Sequence, residues 1–530
     1  MVCPTLWLVL CTWPAFADNY PRQPAIDALH YTFRISLSDD NDEVAGEATA
    51  DFRFLQSGVA QVALDLTSVR DGKGMTVAEV SSGGAGLRFQ HSGDRLVITL
   101  DSTPAAGERR QFTVKYHGIP GDGLHIAKNK FGDRTFFSWN WPTLARQWLP
   151  IVDHPYDKAT SEFLVTAPAR YQVVANGLLQ EVLDLGDGRR MTHWKQSVPI
   201  ASWLNNIGVA QFAWRRFDTA AGVPLETWIF PQDRDKGILT FEEPTRRSIE
   251  FYASHIGPYP YERLADVEVA GMGGAMEHAT AIFFGERSVT GRPAFELVAH
   301  ETAHQWFGDA VTEDDWHHVW LSEGFATYGS ALWAEHVGGV KARDEEMRDD
   351  ATRVFESPAT ERPVIDLQAT DLMGLLNTNS YPKGAWVLHS LRGLMGDRAF
   401  FVRMREYYRH YRDSTVLSSD FARVMSKAAG QDLGWYFTQS LTQPGYPVLD
   451  LSWTYDGNRL TIDILQVQKE SWGTYRLPGL VLLIDGWPAK VNVAGASTHV
   501  VLDHIAEVPR SIVVDPDGWW LLKATVRRGK

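Results

Sequence analysis

Between Arg292 and Asp309 the chain reads RPAFELVAHETAHQWFGD, and His300-Glu301-Thr302-Ala303-His304 has the form HExxH. On an α-helix, residues four apart share a face. Imidazoles at 300 and 304 can therefore offer nitrogens to one ion at roughly 2.0–2.1 Å. Glu301 is turned away by about a quarter turn, near enough to reach a water activated at that ion without being a ligand. The plain alternative is a surface pair or a hydrogen-bonded core pair. The helical wheel weighs against it. Phe295, Val298, Ala299, Thr302, Ala303 and Trp306 make one apolar stripe, while His300, Glu301 and His304 lie on the other side with Leu297 and Phe307. A third ligand is expected from the next helix. Glu323 sits among Val319, Trp320, Ala326 and Thr327, and a carboxylate on a mostly apolar stripe needs a cation. Two histidines and a glutamate leave one coordination position open, as in catalytic zinc sites, whereas structural zinc is usually closed by cysteines. One zinc ion per chain is the expected cofactor. His317 and His318 are read as surface residues at a helix start.

HExxH, then 18 residues, then Glu323 resembles the zinc aminopeptidases of the aminopeptidase N and leukotriene-hydrolase family, the gluzincins with HExxH-x18-E. Three further stretches agree: Gly274-Ala275-Met276-Glu277-His278, Trp320-Leu321-Ser322-Glu323-Gly324-Phe325-Ala326 and Tyr381-Pro382-Lys383-Gly384-Ala385. The resemblance covers nearly the whole chain after residue 17. It implies a multidomain α+β protein with an N-terminal β-sandwich-like domain, a helical thermolysin-like catalytic domain and a small C-terminal β domain. A counterpart of the long C-terminal helical domain of larger family members is not expected.

The resemblance also implies roles. Glu301 is the general base and Tyr381 the donor to the oxyanion. Glu277 would hold the free α-amino group of a peptide, which makes the enzyme an exopeptidase. Gly274, Ala275, Met276 and His278 would complete the substrate-binding stretch. The residues themselves allow part of this, because glycines at a strand edge let another backbone approach, and a peptide could add there as a strand. Two departures stand out. His278 replaces the usual Asn, and an imidazole can still donate a hydrogen bond. In the first domain, the stretch placed by Arg146 is Ser138-Trp139-Asn140-Trp141 where the family carries Gln-x-Glu or Gln-x-Gln. Trp139 and Trp141 cannot accept from an ammonium, although a ring face attracts one. Amine anchoring then rests mostly on Glu277.

The elements that must hold these residues follow from hydrophobic period. Tyr31, Phe33, Ile35 and Leu37 alternate with polar residues, and Ser82-Gly83-Gly84 and Gly186-Asp187-Gly188 are turn clusters. The reading is a β domain over 18–216. Apolar residues three and four apart then predict helices over 242–255, 293–308, 316–336, 382–395 and 399–411, with one strand-like piece near 265–285. Pro382 is placed at the first helical position, just after Tyr381. This is the catalytic domain, 217–443. After Pro444-Gly445 alternation returns at Leu449, Leu451 and Trp453, then Leu460, Ile462 and Ile464 across an Asp456-Gly457 turn, a β domain over 444–530.

Composition sets the outer bounds. At 530 residues, with 44% hydrophobic and 22% charged, the chain is globular and multidomain. Lys+Arg 51 against Asp+Glu 65 gives −14, the wrong sign for a nucleic-acid binder. Residues 1–17 read as a secretory signal: an apolar run Leu6–Leu10 and an Ala15-Phe16-Ala17 cleavage site. The protein is expected outside the cytoplasm, periplasmic or extracellular. Lipid anchoring through Cys11 ranks lower because bulky Leu10 precedes it, and no membrane insertion is expected. Cys3 and Cys11 both lie in this segment, so cleavage leaves no cysteine. The expected function is a zinc metalloaminopeptidase acting on peptides with a free N-terminus. Two rivals are kept: a non-catalytic peptide-binding protein on the same scaffold, and a zinc endopeptidase or epoxide-opening hydrolase.

Overall fold

The computed structural model describes residues 18–429 and 432–529. The expected signal segment, with Cys3 and Cys11, lies outside the described residues. The chain forms two compact units. One is Asn19–Trp316 with Tyr408–Val416; the other comprises His317–Tyr407 and Leu417–Lys530.

The first unit opens with β structure, as the alternation requires. An eight-stranded sheet runs, from edge to edge, Leu178–Asp184, Arg189–Ile200, Ala159–Pro168, Ile26–Ser36, Val44–Phe54, Arg109–Ile119, Gly74–Ser82 and Ala85–Gly86. Tyr31, Phe33, Ile35 and Leu37 are all buried, and Phe33 stands opposite Phe163 on the parallel neighbour. The two glycine-rich turn clusters close hairpins on either side of this sheet, with left-handed backbone at Gly83, Gly84, Gly186 and Gly188. Smaller sheets of four and three strands complete the β region.

The same unit then builds a five-stranded mixed sheet, ordered Ala213–Ala220, Val223–Ile229, Leu264–Val269, Ala281–Gly285, Ala275–Met276. The single strand-like piece expected near 265–285 is thus three strands, two of them parallel neighbours buried on both faces. Continuous burial removes the alternation that would have separated them. Helix Glu243–His255 and helix Phe295–His304 follow their apolar spacing.

The second unit carries the long helix Trp320–Glu356, broken at Gly339, where φ is 75° and ψ −175°. Gly338-Gly339 ends the first half close to the expected limit at 336, because glycine alone enters that backbone region without strain. Helices Gly384–Met395 and Asp397–Tyr411 were expected. Ser418–Ala429 and Gly434–Thr442 were not. In Ser418–Ala429 the residues Phe421, Val424 and Met425 stand three and four apart, so the helical spacing was there to be read, and Phe421 and Met425 are buried. A β domain closes the chain. Leu451 pairs with Ile464 and Trp453 with Ile462, and these residues share one core with Leu480, Leu482 and Val491 of a second small sheet. Among the described residues no helix is long and apolar enough to cross a membrane.

Candidate active site

Helix Phe295–His304 buries Val298, Ala299, Thr302 and Ala303, and Trp306 just beyond it. That stripe fixes the helix's rotation, so His300 and His304 emerge on the opposite side. Their Nε2 atoms lie 3.2 Å apart. Two ligands held at 2.0–2.1 Å in a tetrahedron would stand roughly 3.3–3.4 Å apart, so the pair is already spaced for one ion. The helix stops because Gly308 turns the chain at φ 117°, with its N–H donating to the Val311 carbonyl.

Glu323 is buried on helix Trp320–Glu356, one residue before Gly324. Gly324 meets Gly384 backbone to backbone. A Cβ on either glycine would come within 2.8–2.9 Å of the other's Cα. This contact lets Tyr381, three residues before Gly384, reach Glu323, and its hydroxyl donates to Oε1 at 2.7 Å. Tyr381 does not precede a helix beginning at Pro382. It lies inside a wide turn, Asn379–Lys383, with Pro382 within it and helix Gly384–Met395 following. Lys383 N–H reaches back five residues to the Thr378 carbonyl, and Asn379 Nδ2 donates to the carbonyls of Ala359, Arg362 and Pro363. Proline lacks an N–H, and the wide turn accommodates that loss.

His300, His304 and Glu323 each present one ligand atom, all within 4.8 Å of one another. Nitrogen, nitrogen and carboxylate oxygen at that spacing fit a zinc ion with an open position. Ligand atoms of Glu277, Glu301 and His304 also lie within 4.8 Å of one another. Glu277 Oε1 stands 3.8 Å from His304 Nδ1, beyond hydrogen-bond reach. Two carboxylates held that close favour a cation between them.

Glu277 is set by the edge of the five-stranded sheet. Ala275–Met276 pairs with Phe283 and Phe284 and is the edge strand of this sheet among the described residues. Gly271 and Gly274 take φ of 74° and 96° to turn the chain into that edge.

Residues 27–204 match the peptidase M1 N-terminal domain, and residues 241–439 match the peptidase family M1 domain. The chain belongs to peptidase family M1. It is 26% identical over 410 residues to "Probable aminopeptidase 1" of Saccharolobus solfataricus, covering 73% of this chain and 50% of that protein. It is 26% identical over 444 residues to "Probable aminopeptidase 2" of Sulfurisphaera tokodaii, covering 79% and 55%. The chain thus spans about half the length of these curated relatives. Among solved structures it is similar to the M1 zinc metallopeptidase from Deinococcus radiodurans, with TM-score 0.67 and 27% identity over 78% of this chain and 94% of that one. A mutant of that metallopeptidase bound to a Tyr-Ser-Ala substrate gives TM-score 0.69 and 25% identity, over 79% and 95%.

Against this family M1 background the other singled-out residues fall in different places. His278 does not face the strand edge. It is wholly buried, its ring packs edge-on against Phe283 at 4.8 Å, and neither ring nitrogen has a hydrogen-bond partner among the described residues. Burial pushes its imidazole down to about 3, so it is neutral. Trp141 is buried edge-on against Trp316, leaving no open ring face there for an ammonium, while Trp139 is half-buried near His125. His317 and His318 are not surface residues. Both are buried, His317 Nε2 at 3.0 Å from the Ala369 carbonyl and His318 Nδ1 at 2.7 Å from Ser418 Oγ. Their helix start is covered by chain far away in sequence, which no local pattern reveals.

Gln305 was not singled out and is the joint of the site. Its Nε2 donates to the Glu277 carbonyl and to Asp309 Oδ2, both at 2.9 Å, and its Oε1 accepts from Tyr259 and from the Thr280 N–H. It ties the Glu277 segment to the end of the histidine helix. Asp309 is held well toward its neutral form by burial first, then by the charges of Glu277. A polar residue followed by Trp306 and Phe307, four before an Asp, was the available signal.

Proposed function

We propose that this protein is a zinc-dependent aminopeptidase, with His300, His304 and Glu323 as the metal ligands. The observation that carries the reading is the carboxylate pair Glu277 and Glu301 beside His304. With Glu301 serving the water, the second carboxylate, Glu277, suits a substrate ammonium next to the reacting bond, which a simple metal-binding or endopeptidase site does not need. When bound, zinc supplies a Lewis acid that polarises the scissile carbonyl and makes water nucleophilic near neutral pH. The Glu301 carboxylate takes the proton from the attacking water and returns it to the leaving amine. Glu277 accepts hydrogen bonds from the N-terminal ammonium and so sets the reach to the first peptide bond. The outer edge of Ala275–Met276 pairs with the substrate backbone, with Gly274 allowing its approach. His278 supports this stretch by packing beneath it. The Tyr381 hydroxyl donates to the oxyanion. It has one proton to give, so it must leave Glu323 Oε1 to do so.

A free-amine dipeptide and its N-acetylated form test the reading, each with and without a chelator. Cleavage of the free amine alone, lost with chelator, is expected. Equal cleavage of both would favour an endopeptidase. Peptide binding without turnover in zinc-loaded protein would favour the binding-protein reading. We also propose export through residues 1–17. The protein recovered outside the cytoplasm should begin at Asp18, whereas a lipid-anchored form would begin at Cys11.

A further inference from the structure

Glu277, His278, Ala279 and Thr280 turn the chain from the edge strand Ala275–Met276 into strand Ala281–Gly285, and the Ala281 N–H closes the turn on the His278 carbonyl at 3.1 Å. Thr280 takes φ 69°, left-handed backbone that a β-branched residue rarely adopts. Such a conformation persists only where its surroundings impose it, and it collects at functional sites. The Thr280 end is pinned from three sides. Asn176 Nδ2 donates to the Ala279 carbonyl at 2.8 Å, the Gly177 N–H to Thr280 Oγ1 at 2.7 Å, and the Ala265 N–H to the Thr280 carbonyl at 2.9 Å.

The Glu277 end is tied by Gln305. Its Nε2 has two hydrogens, and both are used, one on the Glu277 carbonyl and one on Asp309 Oδ2, each at 2.9 Å. Its Oε1 accepts from the Thr280 N–H at 3.0 Å. A flipped amide would set N–H against N–H and oxygen against oxygen, so one orientation is held. Gln305 is wholly buried and directly follows His304. One side chain therefore spans from the backbone beside a metal-group histidine to the backbone of Glu277, whose carboxylate stands 3.8 Å from that histidine's Nδ1. The length of that side chain fixes how far the amine anchor stands from the histidine helix.

We propose that Gln305 is a positioning residue, which holds a strained turn so that Glu277 meets the N-terminal ammonium while the first peptide bond lies at the histidines. The role rests on the aminopeptidase reading. Without the Gln305 amide the Thr280 end keeps its three ties, whereas the Glu277 end relaxes and its carboxylate moves off the ammonium. The loss then falls on recognition of the free amine and leaves the metal ligands in place.

A double-mutant cycle on a free-amine dipeptide tests this in zinc-loaded protein. Gln305→Met should lower kcat/KM about tenfold, through KM more than kcat, with one zinc per chain retained. In the Glu277→Ala background the same change should cause no further loss, because the group it positions is gone. Gln305→Glu keeps the acceptor for the Thr280 N–H and replaces the amide donor to the Glu277 carbonyl, and it serves if the methionine variant does not fold. Equal losses in both backgrounds would overturn the proposal, since Gln305 would then act on the fold and not through Glu277. So would an unchanged KM, or loss of zinc from the variant. Failure of the underlying reading looks different: the unaltered protein would cleave the N-acetylated dipeptide as fast as the free amine, and the positioning role would fall with it.

Discussion

The histidine helix and the Glu323–Tyr381 pair reach comparable order by different means. His300 and His304 need only a helix whose back is buried, since spacing of four residues brings their nitrogens to 3.2 Å. Glu323 and Tyr381 are 58 residues apart and meet at 2.7 Å. They do so because Gly324 and Gly384 let two backbones approach where any Cβ would collide. The first arrangement is local and tolerant. The second depends on one tertiary contact, so damage there should spread to the chemistry.

Five changes sharpen or break that contrast. Glu301→Gln should have the largest effect, lowering turnover by at least the 10²–10⁴ of a lost general base. Metal analysis should still find one zinc; its loss would make Glu301 part of the ligand set. Next, Tyr381→Phe should cut kcat by roughly 10²–10³ with KM little changed, as for a lost oxyanion donor. Steady-state kinetics would show instead a pure KM effect if the tyrosine only steadied Glu323. Glu277→Ala should remove about 1.5–3 kcal/mol of charged hydrogen bonding, tenfold or more, from free-amine substrates. An equal loss on acetylated peptides would remove its amine role. Smaller again, Gly384→Ala should destabilise by about 1–3 kcal/mol through overpacking, and kcat should fall with it. Ala299→Gly in the histidine helix should cost only about 0.5–1 kcal/mol and leave kcat intact. Urea midpoints and rates for the two variants test the comparison directly; equal kinetic damage would end it.

Much of the fold was legible wherever one face of an element is buried. The strand at Tyr31–Leu37, the Leu451 to Ile464 hairpin and the histidine helix all show their period in the residues. Legibility failed where burial is complete or contacts are distant. Leu264–Val269 and Ala281–Gly285 are buried throughout, so nothing alternates to separate them. Pro382 was read as a helix start because proline favours that position, yet Asn379's bonds to distant carbonyls hold a wide turn there instead. In the site, a carboxylate on an apolar helical stripe indicated Glu323, and the family resemblance indicated Glu277 and Tyr381. Neither could indicate Gln305 as the joint between the Glu277 segment and the histidine helix, nor that His278, His317 and His318 are buried, because those facts belong to partners elsewhere in the chain.

The sequence by itself determined the donor set. Two imidazoles one helical turn apart, with a carboxylate on the next apolar helix, already call for a divalent ion, because period and burial are local properties. Only the tertiary structure decided which carboxylates crowd His304, how Tyr381 reaches Glu323, and that Gln305 ties the Glu277 segment to the histidine helix. Those depend on which backbones are able to touch, and contact between distant segments is written in no single stretch of residues.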